Sequence, residues 1–134
     1  MRHSHELRVR FAETDQMGIA HHSAYVVWLE AARIDWLRQH SLSYRELEDS
    51  GVSLAVSELS LRYLSACRFD DLLGIDTALT QLRSRRLDFS YRINRPADGA
   101  LIAEASTRLT PVGRDGRALR LPADWLAELK HTTA

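Results

Sequence analysis

The stretch Ala24-Tyr25-Val26-Val27-Trp28-Leu29 carries no charge on any side of the helix it would form. A helix that is apolar all round has to be enclosed rather than laid on a surface, and this constrains the fold more than any other feature of the chain. The helix reads from about Ala24 to Gln39, with Ser23 as its N-cap. Its charges, Glu30, Arg33, Asp35 and Arg38, come later, and Glu30 and Arg33 are three apart and able to pair. The segments that can enclose it are strands. Leu59, Leu61 and Tyr63 alternate with polar neighbours; Leu73, Ile75, Thr77 and Leu79 do the same, then Leu87, Phe89, Tyr91 and Ile93, then Ala103, Ala105, Thr107 and Leu109. A period of two marks a strand with one buried face. Ahead of the helix, Leu7, Val9 and Phe11 alternate with Arg8 and Arg10 in the same way.

Punctuation agrees with this reading. Ser43 and Glu46 form a capping box for a short second helix, which Gly51 stops. Arg95-Pro96-Ala97-Asp98-Gly99 and Gly113-Arg114-Asp115-Gly116 are turns, and Pro122 opens a short C-terminal helix. Short turns between successive strands predict an antiparallel meander. The expectation is an α+β fold: a single domain over residues 1–134, with an antiparallel five-stranded sheet wrapped around a long central helix.

Charge narrows the function. The formal net charge is zero, which argues against nucleic acid as a partner. No run approaches the roughly 20 apolar residues of a membrane helix, so no membrane insertion is expected. Cys67 is the only cysteine; no intrachain disulfide is possible, and a reducing, cytoplasmic setting is expected. Of the 18 basic residues 17 are Arg, whose planar fork suits phosphate and carboxylate.

The chemistry concentrates just before the long helix. Phe11-Ala12-Glu13-Thr14-Asp15-Gln16-Met17-Gly18 places two acids on a strand end, and His21-His22-Ser23 leads into the helix. The first amides of a helix lack intrahelical acceptors and lie at the positive end of its dipole, where a reacting carbonyl would be polarised. Those around His22 and Ser23 are the candidates, and Gly18 lets the preceding loop approach closely. Asp15 either caps its turn or supplies a carboxylate to the reaction. Adjacent histidines point apart and no further ligand lies at metal spacing nearby, so no metal is expected.

The same residues carry a family resemblance. Phe11-Ala12-Glu13-Thr14-Asp15-Gln16-Met17-Gly18, then Tyr25, then Glu30-Ala31-Ala32-Arg33 resembles the hotdog-fold acyl-CoA thioesterases of the 4-hydroxybenzoyl-CoA thioesterase type, most closely their YbgC-like branch. Tyr63, Arg68-Phe69-Asp70-Asp71-Leu72 and Leu119-Arg120-Leu121-Pro122 extend the likeness over nearly the whole chain. Three positions depart from the pattern: Glu13 replaces the first Asp, Ala66 a common Pro, and His21 a frequent aromatic.

The resemblance implies hydrolysis of an acyl-CoA thioester, with coenzyme A as part of the substrate and no separate cofactor. Asp15 would attack the carbonyl or activate water. His22 would assist near the thioester by side chain or by backbone alone, and Gly18, Ser23 and Tyr25 would line the oxyanion and acyl site, Tyr25 alternatively as a core ring. Arg83, Arg85 and Arg86 would grip the CoA phosphates or form a solvated hairpin. A lone hotdog unit leaves sheet edges open, so a homodimer, or a tetramer built as a dimer of dimers, is implied, with Val52 and Ser53 of a neighbouring chain completing the site. Two other readings share these residues: a thioesterase acting on acyl carrier protein esters, and a non-catalytic binder of acyl-CoA.

Overall fold

The computed structural model describes residues 2–132. In chain order the elements are β1 (Arg2–Arg8), α1 (Ala24–Gln39), α2 (Tyr44–Asp49), β2 (Ser53–Tyr63), β3 (Leu72–Arg83), β4 (Arg86–Arg95), β5 (Ala100–Val112) and α3 (Ala123–Leu129). The five strands form one antiparallel sheet in the order β1-β3-β4-β5-β2.

Only β3, β4 and β5 form the expected meander. After β2 the chain crosses the sheet, so β2 pairs with β5 and is left as an edge, and β1 pairs with β3 at the other edge. Local turn signals specify hairpins; they say nothing about which strands a longer connection separates. The first strand is also shorter than its alternation suggests. It ends at Arg8, and Phe11 sits in a 3-10 turn, 75% exposed.

α1 has the predicted bounds, but it is not enclosed. Ala24, Tyr25, Trp28, Leu29, Ala32, Arg33, Trp36 and Leu37 are buried in one stripe, while Val26 and Val27 stay 42% and 53% exposed. The sheet of one chain reaches only one side of the helix. Its inward residues, among them Leu79, Phe89, Tyr91 and Leu109, are fully buried against that stripe, and Trp36 meets Phe89 edge-to-face at 5.2 Å. Each such large apolar side chain contributes about 1.5–3 kcal/mol by leaving water.

Two contacts hold the frame. Asp35 of α1 accepts hydrogen bonds on one carboxylate oxygen from His3 (2.7 Å) and His5 (3.0 Å) of β1. Ser43 caps α2 through its hydroxyl, which accepts from the Glu46 amide, as the capping-box spacing predicts.

Candidate active site

The loop between β1 and α1 is held by its own backbone. The Asp15 amide donates to Ile19 O (2.9 Å) and the Gly18 amide to Asp15 O (3.0 Å). Closing so tight a turn requires a positive φ, which Gly18 supplies at +77°. Asp15 does cap this turn: its Oδ1 accepts from the Met17 amide at 2.8 Å. That leaves Oδ2 without a hydrogen bond among the described residues.

Glu13 anchors the loop from below. Its carboxylate accepts from the Arg10 amide (2.7 Å), the Arg10 guanidinium (3.1 Å) and the Trp28 indole N–H (2.8 Å). Burial pushes its carboxyl up, but these donors outweigh burial and hold it below the usual carboxylate range. Glu13 is therefore a support, as its position in the motif implied.

The start of α1 differs from expectation. Ser23 has helical backbone angles and its hydroxyl caps no helical amide. The capping acceptor is the ring of His21, whose Nδ1 accepts the Ser23 N–H (3.2 Å) and lies 2.8 Å from Ser23 Oγ. The Ser23 amide, expected to be free for an oxyanion, is thus occupied. The His22 amide has no acceptor among the described residues. Sequence reasoning missed this because a histidine is not a standard capping residue.

Tyr63 was also missed. It stands at the end of β2, where its hydroxyl donates to His22 O (2.9 Å) and its ring meets Tyr25 edge-on at 4.8 Å. The signal available was the β2 alternation ending on an aromatic. Tyr25 is buried, 3.5 Å from Cys67 Sγ through its hydroxyl, and burial drives its pKa far up. It is both a core ring and the floor of the cleft.

Asp15, Ile19, Ala20, His22, Tyr25, Tyr63 and residues 64–66 enclose a cleft of about 390 Å³. Asp15, which has one carboxylate oxygen unbonded among the described residues, and His22, whose amide has no acceptor among them, therefore line one cleft with Tyr25 as its floor. A larger cleft, about 470 Å³, opens on the outer face of the sheet around Glu58, Asp88 and Arg108, but those charges are already paired with one another.

The other candidates lie elsewhere. Val52 and Ser53 are at the far end of β2 from Tyr63, ten strand residues or about 33 Å away. The turn carrying Arg83, Arg85 and Arg86 joins β3 to β4 at that same far end, since Leu87 is opposite Leu109 and Leu109 is opposite Val56. Arg86 is committed to Asp88, its guanidinium donating at 2.7 Å; Arg83 and Arg85 are exposed.

Comparison with known proteins adds the family. Residues 9–130 match the family model described as the Thioesterase-like superfamily. The acyl-CoA thioester hydrolase YbgC of Escherichia coli O157:H7 is 34% identical over 127 residues, which is 92% of each chain. Among solved structures, the hypothetical protein TT1821 from Thermus thermophilus superposes with a TM-score of 0.93 at 41% identity, covering 100% of this chain and 99% of that one. A DHNA-CoA thioesterase from Staphylococcus aureus gives a TM-score of 0.94 at 27% identity, covering 97% and 89%.

Proposed function

The chain belongs to the thioesterase-like superfamily as a hotdog-fold thioester hydrolase of the YbgC-like branch, and from that premise we propose that it hydrolyses acyl-CoA esters to free acid and CoA at the Asp15 cleft. The observation that carries the proposal is the shared cleft itself, lined both by Asp15, which has one carboxylate oxygen uncommitted, and by His22, whose amide has no acceptor among the described residues. The thioester carbonyl oxygen would sit on the His22 N–H at the positive end of α1. Losing such a donor typically costs about 3 kcal/mol of barrier.

Two routes use this geometry. In one, the Asp15 carboxylate adds to the carbonyl carbon and the C–S bond breaks, giving a mixed anhydride and CoA thiolate; water then cleaves the anhydride. In the other, Asp15 takes a proton from water as the water adds to the same carbon. The His22 ring, stacked on His21 at 4.1 Å, stands at the cleft to hand a proton to the departing sulfur. Single turnover in heavy-oxygen water identifies the anhydride route when water opens the anhydride at Asp15 Cγ, because only then does label enter the Asp15 carboxylate.

The site is completed by a second copy. In one chain the arginine turn and Val52-Ser53 lie at the wrong end of the sheet for Asp15. Pairing β2 antiparallel with the β2 of a second copy reverses this: the far end of one strand comes beside the Tyr63 end of the other. The partner's Val52 and Ser53 then flank the thioester, and the partner's Arg83 and Arg85 approach the CoA phosphates. Support comes from β2 itself, an edge strand eleven residues long whose open hydrogen-bonding groups call for a partner.

Asp15→Asn is the direct test. It keeps the Met17 cap and removes the charge, so thioester hydrolysis measured by thiol release should fall at least a hundredfold with the thermal midpoint little changed. Wild-type turnover in this variant would remove Asp15 from the chemistry. The same assay over acyl-CoA and acyl carrier protein esters identifies the carrier, and CoA binding without turnover would instead support the binder reading.

A further inference from the structure

We propose that His21 is a positioning residue: its imidazole takes the role that Asn or Asp plays in an Asx turn and so decides which amide at the mouth of α1 faces the thioester. The inference rests on the thioesterase reading and adds to it a residue that stands where the motif has a frequent aromatic.

The hydrogen-bond pattern fixes the state of the ring. Nδ1 accepts the Ser23 backbone N–H at 3.2 Å, so it carries no proton and the ring proton is on Nε2. The Ser23 hydroxyl, 2.8 Å from the same nitrogen, must then be a donor to it. A side-chain atom two bonds beyond Cβ, bonded to the amide two residues on, is the arrangement of an Asx turn. Both donors of Ser23 are consumed, and the His22 amide is left as the open one at this turn.

The two peptide units that flank His22 are also held. His21 is locked in place, its own amide donating to Glu13 O (2.7 Å) and its carbonyl accepting from Ala24 (3.0 Å), and its ring lies against that of His22. From the opposite side Tyr63 holds the His22 carbonyl. If the His21 acceptor is lost, the Ser23 amide and hydroxyl are released into the helix mouth, and the His22–Ser23 peptide, which adjoins the one that presents the His22 N–H, keeps only the Tyr63 bond of its two restraints. A displacement on the order of 1 Å at a reacting centre is enough for a large loss of rate.

The test compares two substitutions. His21→Phe restores the aromatic frequent at this position and keeps a ring against His22, but it has no acceptor. His21→Asn keeps the acceptor and loses the ring. We expect His21→Phe to lower kcat about tenfold with KM within about twofold, and His21→Asn to keep kcat within about twofold of wild type. His21→Ala serves in place of the Phe variant if that one does not fold, with the same expected loss. Wild-type kcat in the variant without an acceptor, or an Asn variant as slow as it, overturns the proposal. Nitrogen NMR of the imidazole gives a readout that needs no turnover: Nδ1 of His21 should be unprotonated in the wild type, and a proton found there refutes the cap. If no acyl-CoA is hydrolysed by the wild type, the thioesterase reading fails, and the NMR result still judges the cap by itself.

Discussion

At the scale of single residues, the site depends on backbone conformations that only certain side chains permit. Gly18 is the clearest case. Its φ of +77° lies where a Cβ costs about 1–2 kcal/mol, and an added Cβ would stand 3.3 Å from the Arg68 guanidinium. That arginine is exposed and can shift, so the backbone strain dominates. Gly18→Ala should therefore lower the thermal midpoint by several degrees and reduce kcat, because the same turn aims Asp15. A variant with unchanged melting and turnover would show that the turn tolerates a side chain. The residue roles were unevenly legible. The turn contacts of Asp15 and Gly18 could be read from their order in the sequence, since they close within a few residues, whereas the Glu13 bond to Trp28 spans fifteen. Ser23 was misread and Tyr63 missed, because what each does is set by a neighbour's ring or by a loop 41 positions away.

At the scale of elements, the contacts that join β1 to α1 set the acid stability. Burial pushes the Asp35 carboxyl up, but the bonds from His3 and His5 outweigh it and hold it below its ordinary value. A carboxyl depressed by folding contributes stability that is present above its unfolded pKa and is lost as pH falls through the folded one. The loss should therefore begin below about pH 4. Asp35→Asn should cost about 1 kcal/mol at neutral pH, in the range of a partly exposed charge-assisted bond, and should flatten the acid limb of a denaturation series. A wild-type acid limb in the variant would assign that limb to other carboxylates. Helix bounds and the two strand hairpins, β3–β4 and β4–β5, were legible because caps, periods and turn residues are local signals. The end of β1 was not, since Phe11 keeps the alternation after the backbone has already turned into a 3-10 segment.

At the scale of the whole molecule, the half-covered helix and the open β2 edge belong together. Leu59 lies on the inner face of β2, opposite Thr107, yet remains 43% exposed, and Val56 on the same strand is 47% exposed, as Val26 of α1 is 42% exposed. Leu59→Lys should place a charge where the proposed second copy would pack, so light scattering should report a monomer and thiol-release activity should fall with it. A monomer of undiminished activity would show that the cleft needs no partner. Among the described residues no helix is long and apolar enough to cross a membrane.

The sequence alone determined the helix bounds, the wrapped sheet and the motif that carries the candidate carboxylate, because periodicity, caps and a compact motif are written in neighbouring residues. The tertiary structure decided what depends on distant segments meeting: the crossing that makes β2 an edge, the exposure of Val26 and Val27, and the distance between Asp15 and the arginine turn. It also decided which amide at the helix mouth is free, since that depends on where the His21 ring settles once the loop has closed on the helix.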